Sequence, residues 1–156
     1  MGPQIAIYDS TDTILVNTWD IGVLKAQVPS DILSVNIWNN KGGTNLVSDL
    51  KEAFLMVLDQ NGDTAVDDVA RDQWIQVNVP SIDGDDDIWT KIGGTLGKDI
   101  RANGGVTDNT IKGIPNDGVA ANSPENVATI KLRAVAPPNS KPGTKLFKVR
   151  LNGYYT

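Results

Sequence analysis

Residues 126–136, with the sequence NVATIKLRAVA, decide the fold class. Apolar side chains recur at every second position, and polar side chains fill the positions between them. The apolar set is Ala128, Ile130, Leu132 and Ala134, and the polar set is Thr129, Lys131 and Arg133. A period of two predicts a β-strand with one buried face and one solvent-facing side.

The same alternation predicts strands elsewhere in the chain. DILSVNIWN (31–39) places Leu33, Val35 and Ile37 on one face, and QWIQVNVP (73–80) does the same with Ile75, Val77 and Val79. In TKLFKVRLNGYYT (144–156), Phe147, Val149 and Leu151 alternate with Lys148 and Arg150. Shorter strand candidates are QIAIYD (4–9) and TILVNTW (13–19), as two strands or as one interrupted at STD, and DIWTKIGG (87–94).

The run SDLKEAFLMVLD (48–59) admits two interpretations. As a helix, it would begin at Ser48 and place Leu50, Phe54 and Val57 on one face. As a strand, it would carry apolar side chains on both faces and so lie in a buried, central position. We favour the strand.

Fifteen glycines and eight prolines separate these runs, and such frequent turns between short strands are typical of an all-β domain. We expect one domain over residues 1–156, built as a β-sandwich. Residues 93–126 are dominated by Gly, Asn, Asp and Thr. So long a loop inside a domain predicts a segment that is functional or ordered by a partner.

Two segments resemble prokaryotic immunoglobulin-like domains. VPSDILSVNIWNNKGGTNLVSDLKEAFLMVLDQNGD (28–63) is similar to their first half, where a strand ends in an Asn-rich turn and a short connector leads to the next strand. LRAVAPPNSKPGTKLFKVRL (132–151) is similar to their last two strands and the turn between them. The resemblance implies an immunoglobulin-like β-sandwich of about seven strands. Domains of this kind occur on surface proteins, glycosidases and bacteriophage structural proteins.

Composition argues against several classes of function. The chain has no histidine and no cysteine, which removes Ser-His and Cys-His catalytic pairs. Nothing in the spacing of its nineteen acidic residues singles out a glycosidase pair. The net charge of −5, without a basic patch, argues against nucleic acid as a partner, and no apolar run is long enough to span a membrane. We expect a protein that is not an enzyme.

The stretch DQNGDTAVDD (59–68) has Asp59, Asn61 and Asp63 at alternate positions, as a calcium loop does. However, the position that requires glycine holds Thr64, and the position of the bidentate glutamate holds Ala70. We therefore predict an acidic turn and no cofactor, with calcium as the weaker alternative. A second acidic run, DGDDD (83–87), is interpreted as a solvated loop.

Aromatic residues supply the candidate interface. Trp38 and Trp74 lie on strand faces opposite the apolar rows, and Trp89, Tyr154 and Tyr155 lie near strand or chain ends. Outward aromatic side chains anchor protein interfaces and also stack on sugar rings. Burial by the chain itself is the third interpretation. Residues 1–12 are short, apolar and strand-like, as an arm that adds to a neighbouring subunit would be.

Together these features predict a structural protein that assembles with itself, as a homo-oligomer, or onto a larger particle. The most specific version is a bacteriophage virion component, such as a capsid decoration, neck or tail accessory protein. Phage proteins are released by lysis, which fits the lack of an export signal in MGPQIAIYD (1–9). The alternative is a carbohydrate-binding or adhesion module of a secreted bacterial protein, located outside the cell or on its surface.

Overall fold

The computed structural model describes residues 1–84 and 87–156. Strands hold 33% of the residues and helices 9%, and the strands form two antiparallel sheets, which confirms the all-β class. The strands of the described residues are β1 (Ile5–Asp9), β2 (Leu33–Asn39), β3 (Lys51–Asp59), β4 (Ile75–Asn78), β5 (Thr90–Ile92), β6 (Lys98–Asp99), β7 (Val127–Ala134) and β8 (Phe147–Tyr154). The helical elements are α1 (Asp68–Arg71), α2 (Pro80–Asp83) and two 3₁₀ turns, Ala120–Asn122 and Pro124–Asn126.

The two sheets are connected by chain segments that pass from one to the other. The larger sheet has the order β1-β2-β7-β4-β5, and the smaller has the order β6-β3-β8. The connections β2–β3 and β7–β8 both join one sheet to the other. In the larger sheet, Val35 of β2 lies opposite Ile130 of β7, so the two alternating patterns face the same side.

One hydrophobic core contains residues of both sheets. The alternating residues of β2, β4 and β7 that the sequence pattern placed inward are in it, with Ile37, Ile75 and Ile130 at most 2% exposed. Residues 51–59 form β3, so the strand interpretation of this run is confirmed and the helix is wrong. The central position of β3 explains its pattern, because Ala53, Leu55 and Val57 face the core while Leu58, on the other side, is also buried.

Residues 13–26 form an irregular segment that lies against the core. The predicted strand at 13–19 is wrong, because only a single bridge, Tyr8 with Leu15, joins it to β1. Its half-buried apolar side chains pack on the core: Val16, Trp19, Ile21 and Leu24. We call residues 13–26 the cover segment. Side-chain contacts fix its position while much of its backbone remains outside the sheets.

The N-terminal residues belong to the chain's own sheet. Ile5–Asp9 pairs with β2 along its whole length, from Ile5 opposite Asn39 to Asp9 opposite Val35. Residues 5–9 are therefore an edge strand of the chain's own larger sheet. A role of residues 1–12 as an arm towards a neighbouring subunit stays a prediction.

Residues 93–126 are mostly irregular, as expected, but the chain itself orders them. Ile100 and Ile111 are fully buried, and β6 pairs with β3. Three buried asparagines, Asn39, Asn40 and Asn126, donate hydrogen bonds from their side-chain amides to backbone carbonyls of residues 111–113. Asn39 donates to the Ile111 carbonyl at 3.1 Å and Asn40 to the Gly113 carbonyl at 2.9 Å. These amides take the place of regular pairing, so the chain itself supplies order to residues 93–126. A functional or partner-binding role of the segment stays a prediction.

Near its end, the 93–126 segment contains a carboxylate that stabilises it in a pH-dependent way. Hydrogen bonds from Asn122 Nδ2 at 2.7 Å and from the Val119 N–H at 2.9 Å lower the pKa of Asp117. A carboxyl with a lowered pKa stabilises the fold above its unfolded pKa, and this stabilisation is lost as the pH falls through the folded pKa.

We expect Asn122→Ala to flatten the acid side of the stability profile. Removing the first donor brings the pKa of Asp117 closer to its ordinary value, so less stability is lost between about pH 5 and pH 2. Urea unfolding across this range checks the prediction. The matched control is Asn139→Ala, which removes an exposed amide from another turn. Parallel profiles for wild type and Asn122→Ala would contradict it.

Candidate interaction edge

The acidic stretch at 59–68 begins with a tight turn stabilised by one carboxylate. Asp59 Oδ1 accepts hydrogen bonds from the N–H groups of Asn61 at 2.8 Å and Asp63 at 2.9 Å. Gly62 has a φ of 90°, which the turn requires and side-chain-bearing residues rarely adopt. Asp59 is only 4% exposed, so the carboxylate is committed to the backbone of its own turn.

No group of three or more Asp, Glu, His or Cys side chains in residues 1–84 and 87–156 is arranged to hold a metal ion. Of the second acidic run, Asp83 pairs with Lys98 at 2.8 Å and also accepts from the Val79 N–H. Asp85 and Asp86 lie outside the described residues.

We predict that Asp59→Ala lowers the free energy of unfolding by about 1–3 kcal/mol, because two turn N–H groups lose their acceptor. Added calcium or a chelator should leave the urea midpoint unchanged in both proteins. The control is Asp63→Ala, whose side chain is exposed and whose effect should stay within about 0.5 kcal/mol. A calcium-dependent midpoint that both substitutions abolish would show that Asp59, Asn61 and Asp63 form a metal site.

Beside this turn, a groove of about 470 Å³ runs along α1 and the β7–β8 connection. The hydrogen bond that Asp67 shares with Asp68 raises the pKa of Asp67. Burial acts to raise the pKa of Asp68, but the hydrogen bond from Lys145 at 2.7 Å and further contacts outweigh it, so the pKa of Asp68 is lowered. The ion pair between Lys145 and Asp68 thus joins the β7–β8 connection to α1.

Two of the predicted interface residues are buried within the chain. Trp38 is 0% exposed, and its Nε1 donates to Asp12 Oδ1 at 2.8 Å. Trp74 is 6% exposed and belongs to the hydrophobic core. The expected outward row of Trp38 and Trp74 is therefore wrong, since neither ring presents a face to solvent.

The other three aromatic candidates reach the surface. Trp89 is half-buried, and the Arg133 guanidinium lies 4.2 Å from the centre of its ring. Tyr154 is 47% exposed and Tyr155 is 58% exposed. The two tyrosines lie together at the end of β8, in the smaller sheet. Trp89 instead precedes β5, an edge strand of the larger sheet.

Strand β8 forms one edge of the smaller sheet. It pairs with β3 on one side, and in residues 1–84 and 87–156 no backbone–backbone hydrogen bond reaches it from the other side. Phe147, Val149 and Leu151 are only half-buried along this strand. We call residues 146–155 the β8 edge. An unpaired edge presents N–H and C=O groups on which a further strand can form.

The β8 edge carries exposed apolar, aromatic and basic side chains. Leu146 is 56% exposed and the two tyrosines follow at the other end. Between them, Lys148 and Arg150 point away from the core. Sequence reasoning identified the tyrosines but missed the edge, because the alternation in 144–156 predicts a strand without saying how many neighbours it has.

Comparison of the chain with protein-family models and with curated proteins finds no match. No helix in the described part of the chain has both the length and the apolar character needed to cross a bilayer.

Proposed function

We propose that this chain is a non-enzymatic structural protein that assembles with copies of itself or attaches to a larger particle. One observation carries the proposal: the β8 edge is unpaired and is bordered by exposed Leu146, Tyr154 and Tyr155. Backbone groups at an edge and neighbouring aromatic side chains are what a protein partner uses when it adds a strand.

Strand order supports the finer assignment to the immunoglobulin-like sandwiches. In those domains strands A, B, E and D form one sheet, and C, F and G form the other. The order β1-β2-β7-β4 corresponds to A-B-E-D, and the pair β3-β8 corresponds to C-F. Strands β5 and β6 lie between β4 and β7 in the chain and depart from this pattern.

The same correspondence explains why the β8 edge is unpaired. Strand G of an immunoglobulin-like domain pairs with strand F, and here the position beside β8 holds no strand of the described chain. The cover segment shields the core on this side, since Trp19 contacts Phe147 edge-to-face at 5.7 Å. A strand supplied by another molecule would take the place of strand G.

The most specific form of the proposal is a bacteriophage virion component of the decoration, neck or tail accessory class, located in the virion. It is supported by the resemblance of residues 28–63 and 132–151 to domains carried by phage structural proteins. An outward tryptophan pair would have supported the carbohydrate-binding alternative, and the burial of Trp38 and Trp74 removes that support.

Light scattering over a range of protein concentrations tests the proposal. We expect the mass to rise with concentration and to be indifferent to chelator. Removing Tyr154 and Tyr155 together, as Tyr154→Ser/Tyr155→Ser, should raise the dissociation constant about tenfold or more, because interface tyrosines are frequent hot spots. The control is Leu96→Ser, an equally exposed apolar residue elsewhere on the surface. A monomer at every concentration would overturn self-assembly.

A further inference from the structure

We propose that the β8 edge of one copy pairs with residues 13–19 in the cover segment of a second copy, which thereby supplies the missing strand. The inference rests on the proposed self-assembly and names the surfaces that carry it. This strand pairing would join the larger sheet of one molecule to the smaller sheet of its neighbour.

Residues 13–19 have strand-forming character that the fold leaves unused. TILVNTW is rich in β-branched and aromatic residues, which favour strands. In this fold Val16 donates to the Ile7 carbonyl at 2.9 Å, so one side of the segment borders β1. Ile14 is 66% exposed and Leu15 is 61% exposed.

The backbone beyond this point has no sheet partner. No backbone–backbone hydrogen bond involves residues 17–24 in the chain as described, over residues 1–84 and 87–156. The segment therefore has donors and acceptors to offer, and the β8 edge has the complementary groups. A strand added at β8 would also cover Phe147, Val149 and Leu151, which are half-buried.

Charge selects the cover segment over a second β8 as the occupant. The cover segment contains one acidic and one basic residue, Asp20 and Lys25, and residues 13–19 carry no charge, whereas the β8 edge contains Lys148 and Arg150 and no Asp or Glu. Two β8 edges placed side by side would bring like charges together, which disfavours that pairing. The uncharged stretch 13–19 can lie beside the basic β8 edge without this repulsion, and Asp20 follows it directly, so this arrangement is favoured.

The two surfaces are also close together on each molecule. The contact between Trp19 and Phe147 places the cover segment beside β8 of its own chain. A neighbour that approaches this side therefore finds an edge to pair with, and it offers its own segment near the same point. Each copy carries both halves of the contact.

Disulfide trapping tests the pairing, since the natural chain has no cysteine. A tagged Ile14→Cys or Leu15→Cys protein is mixed under mild oxidation with an untagged Lys148→Cys or Arg150→Cys protein. Ile14 and Leu15 sample both faces of the added strand, and Lys148 and Arg150 sample two positions along the outward face of β8. Because each protein carries one cysteine, a mixed disulfide is necessarily intermolecular. We expect at least one mixture to cross-link about tenfold faster than a Leu96→Cys control paired with the same β8 variants, since cross-strand neighbours lie within about 5.5 Å.

Failure of this inference is distinguishable from failure of the proposed function. If no mixture exceeds the control while the mass in solution still rises with concentration, the pairing is overturned and self-assembly stands. If the mass stays monomeric and no mixture cross-links, both are overturned.

A charge exchange gives a second readout that does not depend on disulfide formation. Lys148→Asp and Asp20→Lys should each weaken association about tenfold, and the double variant should recover most of the loss, because opposite charges again face each other. A double variant that associates no better than either single variant would overturn the pairing. Lys148 and Asp20 are both exposed, so neither change disturbs the core.

Discussion

Trp38→Ala is expected to lower the free energy of unfolding by about 3–5 kcal/mol, the range found when a buried tryptophan is truncated. Trp38 is on the outer face of the larger sheet between Ala6 and Val127, yet it is fully buried. Its Nε1 binds Asp12 Oδ1, and the Lys41 ammonium lies 5.6 Å from its ring centre. Trp38→Ala removes both the packing of the indole ring and the hydrogen-bond donor to the Asp12 carboxylate.

Urea unfolding of Trp38→Ala, Trp38→Phe and Tyr155→Ala separates these contributions. Trp38→Phe keeps most of the ring and should lose less, about 1–3 kcal/mol, through the missing donor and the smaller side chain. Tyr155→Ala removes an exposed ring and should stay within about 0.5 kcal/mol. If Trp38→Ala left stability intact and weakened association instead, the original interpretation of Trp38 as an interface residue would be right.

Asn126→Ala is expected to destabilise the fold by about 2–4 kcal/mol, because buried carbonyls lose a donor and each costs about 1–3 kcal/mol when unpaired. Asn126 is 1% exposed. Its Nδ2 lies within hydrogen-bonding distance of three carbonyl oxygens, those of Asn39 at 3.2 Å, Lys112 at 3.0 Å and Ile114 at 2.8 Å. One amide thus holds the 93–126 segment to the end of β2.

The same substitution should loosen residues 103–122 before the sheets unfold. We expect trypsin to cleave at Lys112 at least about tenfold faster in Asn126→Ala, because local opening becomes more frequent. Asn139→Ala is the control, as its side chain is exposed in the β7–β8 turn. Equal stability and equal cleavage in the two variants would show that the buried amides do not order the segment.

Periodicity predicted those strands whose inner faces are buried. The alternation in 126–136 and 31–39 is imposed by the shared core, so it is visible in the sequence and reappears in the register of β2 with β7. The same rule failed for TILVNTW (13–19), because strand propensity does not supply a partner, and in this chain only the single bridge to Tyr8 forms.

Burial on the outer face could not be predicted in this way. The pattern placed Trp38 opposite the core correctly, but the acceptor of its indole N–H is Asp12, which lies 26 residues earlier in the chain and is not visible in the strand pattern. The composition of 93–126 similarly resembles a solvated loop. Asparagine amides satisfy buried carbonyls there, and composition does not distinguish a buried amide from an exposed one.

Amide hydrogen exchange, compared between dilute and concentrated protein, tests the central claim most directly, namely that the unpaired β8 edge is the site of assembly. Strand pairing protects backbone amides, and the measurement reports them segment by segment. We predict that residues 146–154 and 13–19 exchange more slowly in concentrated protein, while β4 and β5 are unchanged. Equal exchange of β8 amides at both concentrations, in samples whose mass differs, would contradict the claim.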